Sequence, residues 1–544
     1  MKKIKIFSRA LLLMSAIPAS VAAQDYNMEI NLRGGAVQSI PSDDVVNVTF
    51  GETSPLPGDA GNIKAEVNGI GAFLLSISPV KNATSYRWTR DGEVVQESSA
   101  KSLHTRQPGV YAVTGVNDFG EGKSSPEISV NPITEVFNIL TEECIPDRNL
   151  REYIKQKYAP DSNVLTNLQA AGITGDLCLP TGVESLKGIE YFVSLDSLQS
   201  YIVQTYITEA DLSKNVSLKK IYLSSTFNLK KLNINGLNQL ESLDISSTKL
   251  TQFDLSQLPK GMKYLGLGEL DYTSIDVRRF TNLERLIFYS NKVETLDLSG
   301  MKKLRQLQAN GCSSMRKINL SGCSALKELT LSSCSSLTSV DVSECPALEY
   351  FYTLYSGIGN VDLDVQRANL VRFNPQGSTI KKLDLHGMGK LEFCQAGDCE
   401  QLEEIPDFSD CVSLKNVRIE RCPVKGKLNV GNCKNLEEIN AYESNVTGIS
   451  LHDMPALWNI CAFSNPYMTT LDLKNLPSLE QLMCYDLAKL ERIDISTVNP
   501  AAQMYLTLCP NLKEIKVWPE FDMNNPPANI SKDTTAKFVY EFSK

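Results

Sequence analysis

Cys312, Cys323, Cys334 and Cys345 each lie 11 residues after the last, in the frames LRQLQANGCSS, MRKINLSGCSA, LKELTLSSCSS and LTSVDVSECPA. Position 1 is Leu or Met, position 4 is apolar, position 6 is apolar and position 9 is Cys. A unit this short cannot enclose a core of its own. It buries its apolar positions only against the next unit, which makes the chain a solenoid. Such a stack offers one long surface for binding rather than a cleft for catalysis.

From about Ile207 two kinds of half-turn alternate. One reads LxxLDLS, as in VETLDLSGMKK (293–303), IKKLDLHGMGK (380–390) and MTTLDLKNLPS (468–478). The other keeps the leucines but varies outside, as in LERLIFYSNK (283–292), LEYFYTLYSG (348–357) and LEQLMCYDLAK (479–489). Together they make a repeat of about 21–22 residues and roughly 14 coils. In an extended segment side chains alternate between faces, so positions 4 and 6 point inward and 3, 5 and 7 outward. Position 9 turns the chain, where Asn, Ser or Cys can satisfy backbone groups. The pattern resembles the short bacterial leucine-rich repeat. The predicted fold class is mainly β: a leucine-rich repeat solenoid with a helical N-terminal cap, preceded by a small β-sandwich domain.

The N-terminus carries Lys2, Lys3, Lys5 and Arg9, then an apolar stretch from Ala10 to Ile17, then small residues Val21 and Ala23. This is a signal peptide over 1–23, cleaved after Ala23. The apolar stretch is too short to span a bilayer, which takes about 18 residues or more. Export follows, to the periplasm, outer surface or medium of a Gram-negative bacterium. A net charge of −9 leaves no basic footprint for nucleic acid.

An exported chain with 14 cysteines would ordinarily be read as disulfide-bonded. Position argues otherwise. Cys312, Cys334, Cys399 and Cys422 fall at position 9 of one half-turn, and Cys323, Cys345 and Cys433 at position 9 of the other, with Cys411 close by. A buried thiol there acts as a small apolar residue with a weak hydrogen-bonding group. Zinc lacks its ligand spacing, since there is no CxxC pair and there are only 3 histidines. No cofactor or metal is expected. Cys144 and Cys178, 34 residues apart at the start of the solenoid, are a disulfide candidate.

Five further segments complete the chain. Residues 24–62 hold the alternating stretches MEINL and VVNVTF with RGG between them, then a Pro/Gly linker; they resemble a short element of secreted Bacteroidetes proteins. Residues 63–132 resemble an immunoglobulin- or fibronectin-like sandwich, which implies Trp88 as core tryptophan and Tyr111 as corner tyrosine, with Val113 where a second Cys would stand. Residues 134–195, with the helical pattern LREYIKQKY, read as the cap. The repeats run over 196–520, and 521–544 form a tail in which KFVYEF could close the last coil.

Function rests on outward positions. The LDLS half-turns repeat Asp at position 5. The others carry Tyr222, Tyr264, Ile287, Tyr289, Tyr350, Tyr352, Phe393, Tyr442, Phe463, Met483, Tyr485 and Tyr505. Aromatic residues give large contact area and a polar tip at low entropy cost, although neighbouring rings also stabilise a ladder by packing on each other. The ligand-binding candidates are Tyr350, Tyr352, Phe393, Tyr442, Phe463, Met483, Tyr485 and Tyr505, on a face assigned to the concave side. His104, His386 and His452 form no catalytic arrangement with Ser, Cys or Asp. The cap, repeats and sandwich together are similar to internalin-type proteins, which implies a monomeric, non-enzymatic protein recognising a protein ligand, possibly at a host surface. The sandwich stands before the repeats, unlike the internalin order. The alternatives are a glycan-binding accessory protein of an outer-membrane polysaccharide system, or a structural envelope protein.

Overall fold

The computed structural model describes residues 56–543, apart from 69–71, 106, 131–134 and 201–203, and the backbone of three short strands at 3–5, 27–31 and 37–41. The signal-peptide reading and the VVNVTF stretch fall outside the described residues. Asn27–Asn31 pairs antiparallel with Val37–Pro41.

The repeats build one parallel sheet of 17 strands, from Asp176–Cys178 to Ile530–Lys532. Within the repeats the strands fall at positions 3 to 5 of the varied half-turn, and the residue at position 4 points inward. Leu307, Leu329, Phe351, Phe373, Val417, Ile439 and Leu482 are all fully buried there. The solenoid has about 16 turns, more than the sequence pattern gives. The extra strands lie at the ends: Asp176–Cys178 and Ile530–Lys532, where the LxxL spacing is lost, and Ser197–Gln199, which keeps it at Leu195 and Leu198 ahead of the regular alternation.

The LDLS half-turns behave differently. Both kinds read as extended, yet this side holds only four separate pieces of two or three strands. Asp254, Asp297, Asp341 and Asp407 each accept the backbone N–H two residues on, at 2.8, 3.0, 2.9 and 2.9 Å, which shapes the local turn. Asp297 and Asp494 on this side and Asp244 on the continuous sheet make the same bond from within paired strands.

Position 9 holds the coils together from inside. Cys312 Sγ donates to the Phe288 carbonyl at 3.2 Å, Cys334 to Ala309 at 3.1 Å, Cys422 to Ala396 at 3.0 Å and Cys433 to Phe408 at 3.3 Å. Where Asn or Ser stands instead, the bond is the same: Asn465 Nδ2 to Ala441 at 2.8 Å, Ser444 Oγ to Ile419 at 2.8 Å. Position 8 is left-handed in coil after coil, at Ser225, Ser247, Glu269, Ser290, Ser333, Tyr355, Asp398, Arg421, Glu443, Ser464, Asp486 and Leu508. That conformation aims the N–H at a carbonyl of the next coil, as Ser333 to Leu354 at 2.7 Å and Arg421 to Tyr442 at 3.0 Å, while at Leu508 it reaches the Asp533 carboxylate at 3.1 Å.

Helix α1, Arg148–Tyr158, is N-capped by Asp147 and sets Leu150 and Ile154 in the same buried cluster as Leu177 of the first strand. At the other end Ile530–Lys532 and Lys537–Val539 extend the two faces, over the rings of Trp518, Phe521 and Phe538. Residues 56–130 form two antiparallel sheets around buried Trp88, Tyr111, Val113 and Leu75, and the Tyr111 hydroxyl donates back to the Gln107 carbonyl at 2.8 Å.

Leu329→Ala should cost about 2–5 kcal/mol in denaturant unfolding, from lost burial and the cavity left behind. Cys334→Ser should keep the coil-to-coil bond and cost about 1 kcal/mol or less, whereas Cys334→Asn should be the harder fit and Cys334→Ala should cost about 1–3 kcal/mol by orphaning the Ala309 carbonyl.

Candidate functional site

The continuous sheet presents four outward columns, at positions 2, 3, 5 and 7, with position 8 at the rim. Position 2 is a charge ladder along much of its length. Asp196–Lys219, Glu241–Lys263, Lys327–Glu349 and Glu392–Lys415 pair across neighbouring coils at 2.9, 2.8, 2.6 and 2.9 Å.

The aromatic candidates divide into two groups. Those of the first coils are engaged within the molecule. The Tyr264 hydroxyl donates to Asp244 at 2.6 Å and its ring lies 5.9 Å from Tyr222. The Tyr289 hydroxyl bonds Ser247 at 2.8 Å. Ile287 is buried and offers nothing to a ligand. In the middle coils, Tyr350 and Tyr352 flank buried Phe351, and Phe393 lies under the Arg372 guanidinium at 5.9 Å.

The last coils differ. Tyr442, Phe463 and Tyr485 occupy position 7 of three consecutive coils and stack face to face, with centroids 4.6 Å apart and planes within 7° and 4°. Arg421 covers the outer face of Tyr442 at 5.5 Å and donates to its hydroxyl at 2.9 Å. Tyr442 and Phe463 therefore show ring edges, not faces, while the far face of Tyr485 has no ring or cation against it among the described residues. Tyr505 is outside the stack. It stands in the position 5 column, paired with Met483. The hydroxyls of Tyr485 and Tyr505 have no partner among the described residues.

Above the stack lies a polar network. Arg421 makes a two-pronged pair with Asp398 at 2.5 and 2.8 Å, which holds that carboxyl below the usual range. Beneath it Glu420 has a side chain only 2% exposed, lies against Gly397, and has one carboxylate oxygen without a hydrogen bond. Burial pushes the Glu420 carboxyl up.

Sequence reasoning missed two exposed residues beside this stack. Trp458, at position 2, is 39% exposed, and Leu508, in the left-handed position 8, is 64% exposed. The signal for Trp458 was present: it is the aromatic in a column made mostly of charges. Leu508 had no signal, because the position 8 conformation is not legible from side-chain alternation.

The remaining candidates lie elsewhere. Cys144 and Cys178 are not bridged. Cys178 is exposed on the sheet, with Sγ 3.8 Å from Gln199 Oε1, while Cys144 turns to the Asn138 carbonyl at 3.9 Å. Each thiol follows its own strand or turn, so their closeness in sequence order does not bring the sulfurs together. His386 pairs with Asp410 at 2.5 Å and His452 with Asp472 at 2.7 Å, on the LDLS side. Among the described residues no group of three or more His, Cys, Asp or Glu is placed to hold a metal, and no helix is long and apolar enough to cross a membrane.

The fold is that of a leucine-rich repeat solenoid. No protein-family model matches the chain, and no curated protein matches it. Among solved structures, the functional domain of InlJ from Listeria monocytogenes, described as including a cysteine ladder, is similar over 70% of this chain and 76% of its own, at 20% identity and a TM-score of 0.48. YopM from Yersinia enterocolitica is similar over 66% and 80%, at 18% identity and 0.43. The internalin InlF from Listeria monocytogenes is similar over 62% and 98%, at 17% identity and 0.41. At these identities and TM-scores nothing beyond the repeat architecture is carried over.

Burial pushes the ladder thiols up, Cys323 to about 11 and Cys334 and Cys345 to about 12. A thiol reagent at pH 8 should therefore modify Cys178 first and leave the position 9 cysteines untouched until the chain unfolds, as mass spectrometry of timed samples will show. The turn aspartates supply a second expectation. Hydrogen bonds from Ser256 to Asp254 and from Ser343 to Asp341 hold both carboxyls below the usual value. The folded state thus favours the ionised form, so their contribution is full above about pH 4 and is lost as pH falls through the lowered folded value. Asp341→Asn, which keeps the acceptor as Asn319 does, should leave stability nearly unchanged at pH 7 and reduce the acid sensitivity.

Proposed function

We propose that this chain is an exported, non-enzymatic binding protein that recognises a protein ligand through the last coils of its continuous sheet. The observation that carries this reading is an uncovered apolar surface. Met483, Tyr505 and Leu508 lie beside the Tyr442–Phe463–Tyr485 stack, and Tyr505 and Leu508 are 42% and 64% exposed. Leu508 shares the left-handed conformation of the other position 8 residues and donates its N–H to Asp533 at 3.1 Å; what sets it apart is its exposed apolar side chain. Exposed apolar atoms gathered in one place favour a surface kept for a partner.

The same geometry weighs against the glycan alternative. A sugar stacks on the face of a ring, and both faces of Phe463 are taken by its neighbours. Edges, hydroxyls and a methionine suit a protein surface instead. The aromatics of the first coils serve the solenoid's own packing, and on this reading the sites Tyr350, Tyr352 and Phe393 lie at the margin. The two-sheet unit at 56–130 is an immunoglobulin-like spacer that holds the solenoid away from an attachment point, and the mature chain acts outside the cell or in the periplasm.

The chain from Gln24 is screened against immobilised purified proteins and polysaccharides, beside a variant with Tyr442, Phe463, Tyr485 and Tyr505 changed to alanine and verified as folded by circular dichroism. A discrete protein held by the first and weakened at least about 100-fold in the second is the expected result. Retention on polysaccharide alone, or equal retention of a protein by both chains, overturns it.

A further inference from the structure

Position 2 of the continuous sheet reads Asp196, Lys219, Glu241, Lys263, Glu284, Arg305, Lys327, Glu349, Val371, Glu392, Lys415, Glu437, Trp458, Glu480 and Ala502. Opposite charges answer one another through most of it, in the pairs given above. The pattern is interrupted at Val371, Trp458 and Ala502. The glutamates on either side of Val371, Glu349 and Glu392, are paired with Lys327 and Lys415, whereas those beside Trp458 have no ion pair among the described residues. Trp458 sits between Glu437 and Glu480 on the adjoining coils, fixed by backbone bonds from Trp458 N to the Glu437 carbonyl at 3.0 Å and from Glu480 N to the Trp458 carbonyl at 2.8 Å. Lys415, which could have answered Glu437, turns to Glu392 at 2.9 Å.

The deficit of positive charge spreads beyond this column. Positions 1 to 9 of the four half-turns 436–444, 457–465, 479–487 and 501–509 hold Glu437, Glu438, Glu443, Glu480 and Asp486, and no Lys or Arg. Of these five acids only Glu438 has an ion pair among the described residues, with Arg418 at 3.4 Å. Tyr467, in one of the same coils, shows the opposite arrangement. Its ring lies between Lys425 at 5.3 Å and Lys489 at 5.0 Å. The coil spacing thus lets an aromatic side chain of one coil collect cations from its neighbours. Around Trp458 the flanking side chains are anions, so a cation for that ring has to come from another molecule.

We propose that Trp458, between Glu437 and Glu480, is the seat for a lysine or arginine side chain of the protein partner. The inference rests on the protein-binding reading and deepens it: the partner presents a basic segment next to an apolar one. The cation lies on the exposed indole face, and the two carboxylates offset its charge from either side. Cation–π attraction is strongest for tryptophan and grows when the pair is shielded from water. Paired carboxylates add a Coulomb term that salt screens. The apolar neighbours on the partner then meet Met483, Tyr505 and Leu508 in the adjoining columns.

The probes are four short peptides of equal length, alternating glycine with arginine, lysine, glutamate or norleucine, titrated by calorimetry into the mature chain at about 50 mM salt. Binding of the arginine and lysine peptides only is expected. The affinity should fall by about tenfold or more in Glu437→Gln/Glu480→Gln and again in Trp458→Ala, and should weaken as salt rises to about 500 mM. Glu443→Gln/Asp486→Gln serves as the control for unlocalised charge and should lower affinity far less. Equal binding by the Glu437→Gln/Glu480→Gln variant, equal loss in the control, or no binding of either basic peptide overturns the seat. A protein ligand lost by the aromatic variant but held by Glu437→Gln/Glu480→Gln removes the cation seat and leaves the protein-binding reading intact. Basic peptides held at Trp458 with no protein ligand in the screen keep the seat and remove that reading.

Discussion

Each coil passes its backbone hydrogen bonds to the next, and the rest of the molecule depends on that relay. Three devices keep it unbroken around the turn. The strand at positions 3 to 5 makes the parallel ladder. The left-handed residue at position 8 aims one more N–H forward. The side chain at position 9 reaches back to a carbonyl that no backbone group can reach. Leaving such buried groups unpaired is costly. The cysteines are therefore part of the wiring of the core, and a thiol suffices because it is small, apolar and still able to donate.

The inward half of this arrangement was legible in the chain. Apolar residues, most often Leu, recur at positions 1 and 4, with Cys, Asn or Ser frequent at 9, because a closed core accepts only apolar or self-satisfied side chains. The solenoid, the buried cysteines and the coil direction follow from that. The outward half was legible only in part. Tyr442, Phe463 and Tyr485 were read only as outward aromatics of nearby coils; their stacking was not legible, since ring orientation depends on neighbours a full coil away. Tyr505 was grouped with them although one register step places it in another column. The Cys144–Cys178 pairing failed for the same reason: separation along a chain says little about where two side chains point.

The LDLS aspartates illustrate how repetition can mislead about role. A column of carboxylates looks like a surface for ligands. Here Asp254, Asp297 and Asp341 each accept a local N–H and shape their own turn. The outward side chains of the continuous sheet vary more from coil to coil.

The coil spacing also limits what can lie along the axis. Coils recur at the distance between hydrogen-bonded strands, about 4.8 Å, while same-face residues of an extended strand recur about every 6.6–6.8 Å. A strand laid lengthwise loses step after a single contact. An α-helix, at 5.4 Å per turn, drifts only about 1.2 Å across three coils. The three stacked rings span that same height. The solenoid therefore acts as a vernier: over a few coils it reads a helical or compact surface in register, and over many it reads nothing that is straight and periodic.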